Sequence, residues 1–215
     1  MSPMSGPGAT AIWLMLLLGA YHGLNPGMGW LFAVALGMQE RKSAAVLRSL
    51  VPIGLGHALA VGAAVAIALL AGVSLPPGIV RNLVAALLVV LGLVFLWKHW
   101  HPRWVRMQVG FVDLTLWSFL MATAHGAGLM VVPVLLGGGS AQAYGGMAWH
   151  DHAAPGARAL LATAMHTAAY LAVTGLAAWV VYRKVGLGVL RKAWFNLDLL
   201  WALALVATGV ITFLM

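Results

Sequence analysis

The chain contains no cysteine and only four acidic residues, Glu40, Asp113, Asp151 and Asp198. The lack of cysteine excludes disulfides, thiolate metal ligands and thiol redox chemistry. Four scattered carboxylates disfavour the oxygen-rich sites that magnesium and calcium require. Charged residues make up 7% of the 215 residues, against roughly one-quarter in soluble domains, whereas 63% are apolar. This composition indicates an integral membrane protein.

Six apolar segments reach the length of about 20 residues that a helix needs to cross a bilayer. They are residues 10–38, 46–72, 79–97, 109–137, 158–182 and 194–214. The first segment is longer than the apolar core of a signal peptide, which is about 7–15 residues, so we expect it to be retained. The sequence therefore predicts an all-α integral membrane fold with six transmembrane helices.

The basic residues are distributed unevenly between the two sides of the membrane. Ten of the twelve lysines and arginines lie at the loops after the first, third and fifth segments, and the opposite loops carry only Arg81 and Arg158. Positively charged loops stay in the cytoplasm, so both termini are expected outside it. Topology and anionic lipid then account for the net charge of +8, and nucleic acid is not expected as a partner. We expect a bacterial inner (plasma) membrane location.

Histidines recur at matching places in the two halves of the chain. His22-Gly23 in the first segment matches His125-Gly126 in the fourth, and His57 in the second matches His166 in the fifth. This pattern predicts two three-helix repeats within a single membrane domain, residues 1–107 and 108–215. Because each half has an odd number of spans, the second half enters the membrane from the opposite face. Such inverted repeats are typical of secondary transporters that bind their substrate at the midplane.

The first segment is interrupted by Asn25-Pro26-Gly27, three residues after His22. Broken backbone at membrane depth is tolerated only beside protein or a water-filled cavity. An ionisable residue at this depth indicates a functional site. The fourth segment has Gly128-Leu129-Met130 at the matching place. We therefore expect an asymmetric site, in which the first span alone is broken.

Imidazole binds Ni, Co, Zn and Cu, so four intramembrane histidines predict a transition-metal site whose ion the sequence does not identify. The candidate ligands are His22, Asn25, His57, His125 and His166. Accessory donors are the thioethers of Met28 and Met130 and, in an outer loop, His150, Asp151 and His152. The alternative for each intramembrane histidine is an interhelical hydrogen bond, and for each methionine it is core packing.

Two stretches resemble motifs of a known family. His22 with the segment 31–37, and Gly56-His57-Ala58-Leu59, resemble the LysE-type transporter superfamily, most closely its nickel/cobalt permeases and hydrogenase/urease accessory permeases. The resemblance covers the whole chain in topology and implies six spans in two inverted halves. Met28 and Gly29 stand where the accessory permeases have Asp and His. Related exporters carry sulfur oxyanions or amino acids, so a substrate other than a metal stays open.

The leading hypothesis is a secondary transporter, and not an enzyme, that moves a small ion through a midplane histidine site. Histidine titrates near physiological pH, which is compatible with proton coupling. One alternative is a b-type haem electron-transfer protein with two axial histidine pairs. Another is a membrane-embedded enzyme in which three histidines hold a metal. The expected partners are the lipid bilayer and a small ion or molecule, and the sequence leaves a homo-oligomer open.

Overall fold

The computed structural model describes residues 7–97, 110–136, 155–185 and 190–214. In these ranges the chain forms eight α-helices and no strand. The helices are α1 (Pro7–Leu24), α2 (Trp30–Glu40), α3 (Ser43–Ser74), α4 (Pro77–Trp97), α5 (Phe111–Ala124), α6 (Ala127–Leu136), α7 (Pro155–Val180) and α8 (Leu190–Leu214). A 3-10 turn, Pro26–Met28, joins α1 to α2, and α7 continues into a π-helical turn, Val181–Val185.

Several of these helices are long and apolar enough to cross a membrane. Within the described part of the chain, three pass by themselves: Ser43–Ser74, Gly78–Trp97 and Ala159–Lys184. The bent pair of α5 and α6 adds a fourth if it is counted as one span, and Ile12–Leu24 and Ala202–Leu214 are shorter apolar helices. The prediction of a helical membrane protein is confirmed. The six-span count and the inverted repeat stay predictions.

The first and fourth predicted spans are both interrupted next to their His-Gly pair. α1 ends at Leu24 and α2 begins at Trp30, while α5 and α6 meet at His125-Gly126 with a bend of 56°. Gly126 has a φ of 68°, a left-handed conformation that glycine adopts without steric cost. The expectation of a break in the first span alone is therefore wrong, because a glycine ends α5 without any proline.

The helices associate as three close pairs: α1 with α7, α3 with α5, and α4 with α8. Glycine lies at each contact. Gly56 of α3 faces the backbone of α5 at Thr115, and Gly92 of α4 and Gly209 of α8 face each other's helices. Small residues allow such backbone contact in lipid, where no hydrophobic force drives helices together. α3 also packs against α7, which brings the first two pairs together.

The contact between α1 and α7 is formed by Gly19 and Gly23, which lie one turn apart on α1. A β-carbon at Gly19 would overlap the carbonyl oxygen of His166, and one at Gly23 would lie 2.6 Å from the carbonyl oxygen of Tyr170. The two backbones are therefore in direct contact just before the point where α1 ends. This contact fixes the height at which His22 meets α7.

Replacement of Gly19 by leucine is expected to destabilise the protein. The new side chain would displace the α7 backbone at His166, and overpacking of this kind costs about 1–3 kcal/mol. Gly72→Leu is the matched control, because a β-carbon at Gly72 has nothing within 4 Å. The measurement is the melting temperature of each purified variant in detergent. Equal melting temperatures for the two variants would contradict this account of the α1–α7 contact.

Candidate functional site

The break between α1 and α2 is held by local hydrogen bonds. The Asn25 side chain accepts a hydrogen bond of 2.9 Å from the backbone N–H of Gly27, which caps the 3-10 turn. Trp30 donates from Nε1 to the Leu24 carbonyl at 3.1 Å and so satisfies one of the carbonyls that the end of α1 leaves open. Gly29 has a φ of 134°, where any side chain would be strained. The sequence thus encodes a short, internally satisfied interruption.

Three histidine rings meet beside this break. His22 comes from α1, His57 from α3 and His166 from α7, and each is 0% exposed. The ring centroids are 5.8 Å apart for His22 and His57, 5.0 Å for His22 and His166, and 5.4 Å for His57 and His166. We call these three residues the histidine cluster. The structure thus brings together three of the four intramembrane histidines that the sequence singled out.

Hydrogen bonds define the tautomer of His22. Its Nδ1 lies 2.6 Å from the carbonyl oxygen of Leu18, one turn earlier on α1. Because a carbonyl only accepts, Nδ1 carries the proton and the lone pair is on Nε2. This is the arrangement that metal-binding histidines adopt, in which one nitrogen is fixed by a carbonyl and the other binds the ion.

The rings of His57 and His166 lack a comparable hydrogen bond to a ring nitrogen within the described residues. Both ring nitrogens of His57 are buried and have no hydrogen-bond partner among the described residues. Those of His166 have none with standard geometry, although the backbone carbonyl of Met15 lies near this ring. A buried polar atom left unpaired costs about 1–3 kcal/mol. Native proteins rarely keep such groups unless something else uses them.

Tyr170 ties the histidine cluster to the break, and the sequence analysis missed it. Its ring stacks on His57 with centroids 3.8 Å apart, and its hydroxyl donates to the Met28 carbonyl inside the break. One further turn along α7, Thr174 donates to the Gly23 carbonyl at 3.5 Å. Tyr170 lies four residues after His166, so their shared helix face was the signal available in the sequence.

His125 occupies the second break rather than the histidine cluster. Its ring stacks on Phe95 of α4 with centroids 5.2 Å apart, and its Nδ1 lies 2.9 Å from the Met121 carbonyl. His125 and His22 therefore share the same hydrogen bond to a carbonyl one turn earlier, each at the end of a broken helix.

The structure describes three of the remaining candidate ligands, and none of these three lies among the three histidine rings. Asn25 is 5% exposed; its oxygen caps the turn and its amide nitrogen is buried without a partner among the described residues. Met28 and Met130 are each 1% exposed and belong to the apolar core. The outer-loop residues His150, Asp151 and His152 lie outside the described ranges.

The donor atoms of the cluster do not form a coordination shell as they stand. Across the ranges that the structure describes, no group of three or more His, Asp or Glu side chains is arranged to hold a metal ion. The spacing itself suits one, because three imidazoles that bind one ion at about 2.0–2.1 Å have centroids about 5 Å apart in tetrahedral geometry.

No family model, curated protein or solved structure matches this chain. Its class is therefore defined by its own fold and site. It is a helical membrane protein in which three buried histidines, from three helices, meet beside the break between α1 and α2. The function has to be argued from these residues.

Tyr170→Phe is expected to destabilise the protein by about 1–3 kcal/mol, because the Met28 carbonyl then stays buried without its donor. The ring, and with it the stacking on His57, is retained. Tyr182→Phe is the control, since Tyr182 is half-buried and packs against Gly37 through its ring. The free energy of unfolding is measured by denaturant titration in detergent. Equal losses in the two variants would contradict the role given to the Tyr170 hydroxyl.

Proposed function

We propose that the protein is a secondary transporter that carries a small substrate, a transition-metal ion, across the membrane through the histidine cluster. The observation that carries this proposal is the convergence of His22, His57 and His166, from three helices, beside a broken transmembrane helix. Broken helices with polar groups at the break are how transporters build midplane sites.

Binding explains the cluster better than interhelical hydrogen bonding does. Histidines that hold helices together use their ring nitrogens for hydrogen bonds to the neighbouring helix. Here the helices are already joined by backbone contact at Gly19 and Gly23, and the ring nitrogens of His57 are unpaired within the described residues. The imidazole of His57 therefore keeps a lone pair for a ligand. Neutral imidazole is the commonest metal ligand in proteins.

The pairing of helices supports the inverted repeat that the transporter proposal includes. If α1–α2 corresponds to α5–α6 and α3 to α7, then the contact of α1 with α7 corresponds to that of α5 with α3, and both are observed. Under the same correspondence α4 matches α8, and these two pack together. His22 and His125 each end the first half of a broken span. Two such halves, moving relative to each other, provide alternating access.

The geometry favours this function over the haem alternative. A porphyrin bound between His22 and His166 would have to separate α1 from α7. The backbones of these helices touch at Gly19 and Gly23, on the same side of α1. A membrane-embedded metal enzyme is also less well supported, because hydrolytic chemistry needs a general base. The two carboxylates whose side chains are described, Glu40 and Asp113, are exposed.

Loss of a cluster histidine is expected to abolish transport while the protein still inserts. His22→Ala, His57→Ala and His166→Ala are compared with wild type for uptake of transition-metal ions into proteoliposomes, measured by mass spectrometry of the retained metal. We expect a decrease of at least about tenfold, which corresponds to about 1.4 kcal/mol of lost binding. Thr123→Ala is the control, since Thr123 is exposed and bonds only the carbonyl of Phe119 in its own helix. Full activity of the His22 and His57 variants would refute the site.

The orientation can be tested directly because the chain has no native cysteine. Single cysteines replace Lys42 and Gly78, two exposed residues that lie beyond opposite ends of α3. Each variant is labelled with a membrane-impermeant maleimide in intact cells. We expect Gly78→Cys to react in intact cells and Lys42→Cys to react only after lysis, because basic loops stay inside. The reverse pattern would invert the topology, and labelling of both in intact cells would show that α3 does not cross the membrane.

A further inference from the structure

A cavity of about 570 Å³ lies at the predicted cytoplasmic end of the protein. It is formed where the end of α2, the start of α3 and the π-helical turn after α7 meet. None of its lining residues belongs to the histidine cluster. They come from two segments that are far apart in the sequence: Arg41, Lys42, Ser43, Ala44, Tyr182 and Arg183.

The ring of Tyr182 holds the two segments together. Its Cδ2 and Cε2 atoms lie 3.1 Å from the position that a β-carbon would take at Gly37 of α2. Val46 of α3 packs against the same glycine. Because the glycine has no side chain, α2, α3 and the π-helical turn approach one another here. This packing brings Arg183 to the cavity that Arg41 lines.

Three of the six lining residues are cations and none is an acid. Glu40, next to Arg41 in the sequence, is ion-paired with Arg48 at 2.5 Å. Within the described residues, no ion pair involves Arg41, Lys42 or Arg183. Like charges held around one cavity repel one another and attract an anion. The cavity is therefore suited to an anionic ligand.

Arg41 is held in a backbone conformation that disfavours arginine. It ends α2 with a φ of 53°, and it is the one non-glycine residue with a positive φ in the described part of the chain. Helices that end in this left-handed conformation usually have glycine there, because glycine adopts it without steric cost. A ligand for its guanidinium accounts for an arginine at this position.

The position of the cavity favours a lipid as the source of the anion. Leu47, one turn into α3 after Ser43, is 59% exposed, and Trp179, one turn before Arg183, is 43% exposed. The Arg183 guanidinium lies 5.8 Å from the centroid of the Trp179 ring, within the range of a cation–π interaction. Tryptophan and arginine are typical of the headgroup level, and basic pockets on the cytoplasmic side bind acidic headgroups.

We propose that this cavity binds the phosphate group of an anionic phospholipid, held by Arg41, Lys42 and Arg183. A guanidinium is planar and donates two parallel hydrogen bonds to phosphate oxygens. The N-terminus of α3 has no side-chain cap, so its first backbone N–H groups add further donors. The exposed apolar side chains one turn deeper adjoin the acyl chains. This site is separate from the histidine cluster and does not depend on the proposed transport.

The test is lipid binding to the purified full-length protein in a nonionic detergent, measured by native mass spectrometry. Phosphatidylglycerol and phosphatidylcholine with the same acyl chains are titrated separately, and we expect phosphatidylglycerol to bind more tightly. Arg41→Gly and Arg183→Gln are each expected to weaken its binding about fivefold, which corresponds to about 1 kcal/mol for one cation near an anionic lipid. Lys184→Gln is the matched control, because Lys184 is exposed and adjoins Arg183 in the sequence but does not line the cavity.

Arg41→Gly separates binding from folding, because glycine relieves the left-handed backbone and the melting temperature in lipid-free detergent is not expected to fall. Weaker binding of phosphatidylglycerol by this variant, at an unchanged or higher melting temperature, supports the site. Full affinity of the Arg41 and Arg183 variants, or an equal loss in Lys184→Gln, overturns it. Equal affinity of the wild type for the two lipids overturns an anionic ligand. Displacement of phosphatidylglycerol by inorganic phosphate at equal concentration overturns the lipid as its source.

Discussion

Every backbone N–H and C=O within a lipid bilayer has to find its partner inside the protein. The break at Asn25 exists under this constraint. It is closed by the Asn25 side chain on Gly27, by the Trp30 indole on Leu24 and by the Tyr170 hydroxyl on the Met28 carbonyl. Because one of these donors comes from α7, the break is stable only where α7 is packed against α1. The position of α7 then determines where His166 lies.

The histidine cluster follows from this packing. Gly19 and Gly23 bring the backbones of α1 and α7 together, and the α3–α7 contact carries His57 onto the Tyr170 ring. The imidazoles are in this way enclosed in the buried core, where a hydrogen bond or a charge counts for more than in water. This enclosure makes it costly to keep the ring nitrogens of His57 without a hydrogen-bond partner.

Composition and histidine spacing were enough to predict a helical membrane protein and to select three residues that do meet. Both predictions need only short stretches of sequence. The length of an apolar segment indicates a span, and a histidine within the membrane is costly enough to indicate a functional site. The break at Gly126 was not predictable in this way. A single glycine in an apolar segment does not show whether the helix continues through it or bends there. Nor was the stacking of His125 on Phe95, which depends on how α4 meets α5 and α6. Contacts between distant segments are set by packing, and no periodicity in one segment encodes them.

A site without exposed atoms cannot exchange its occupant unless helices move, so the contacts around the cluster differ in what they allow. In the α1–α7 contact the two backbones touch, and even a β-carbon at Gly19 would not fit between them. The link between Tyr170 and Met28 is one hydrogen bond between a side chain and the break, and its net worth is about 1 kcal/mol. For the proposed transport, we therefore expect α1 and α7 to stay together when the cluster opens.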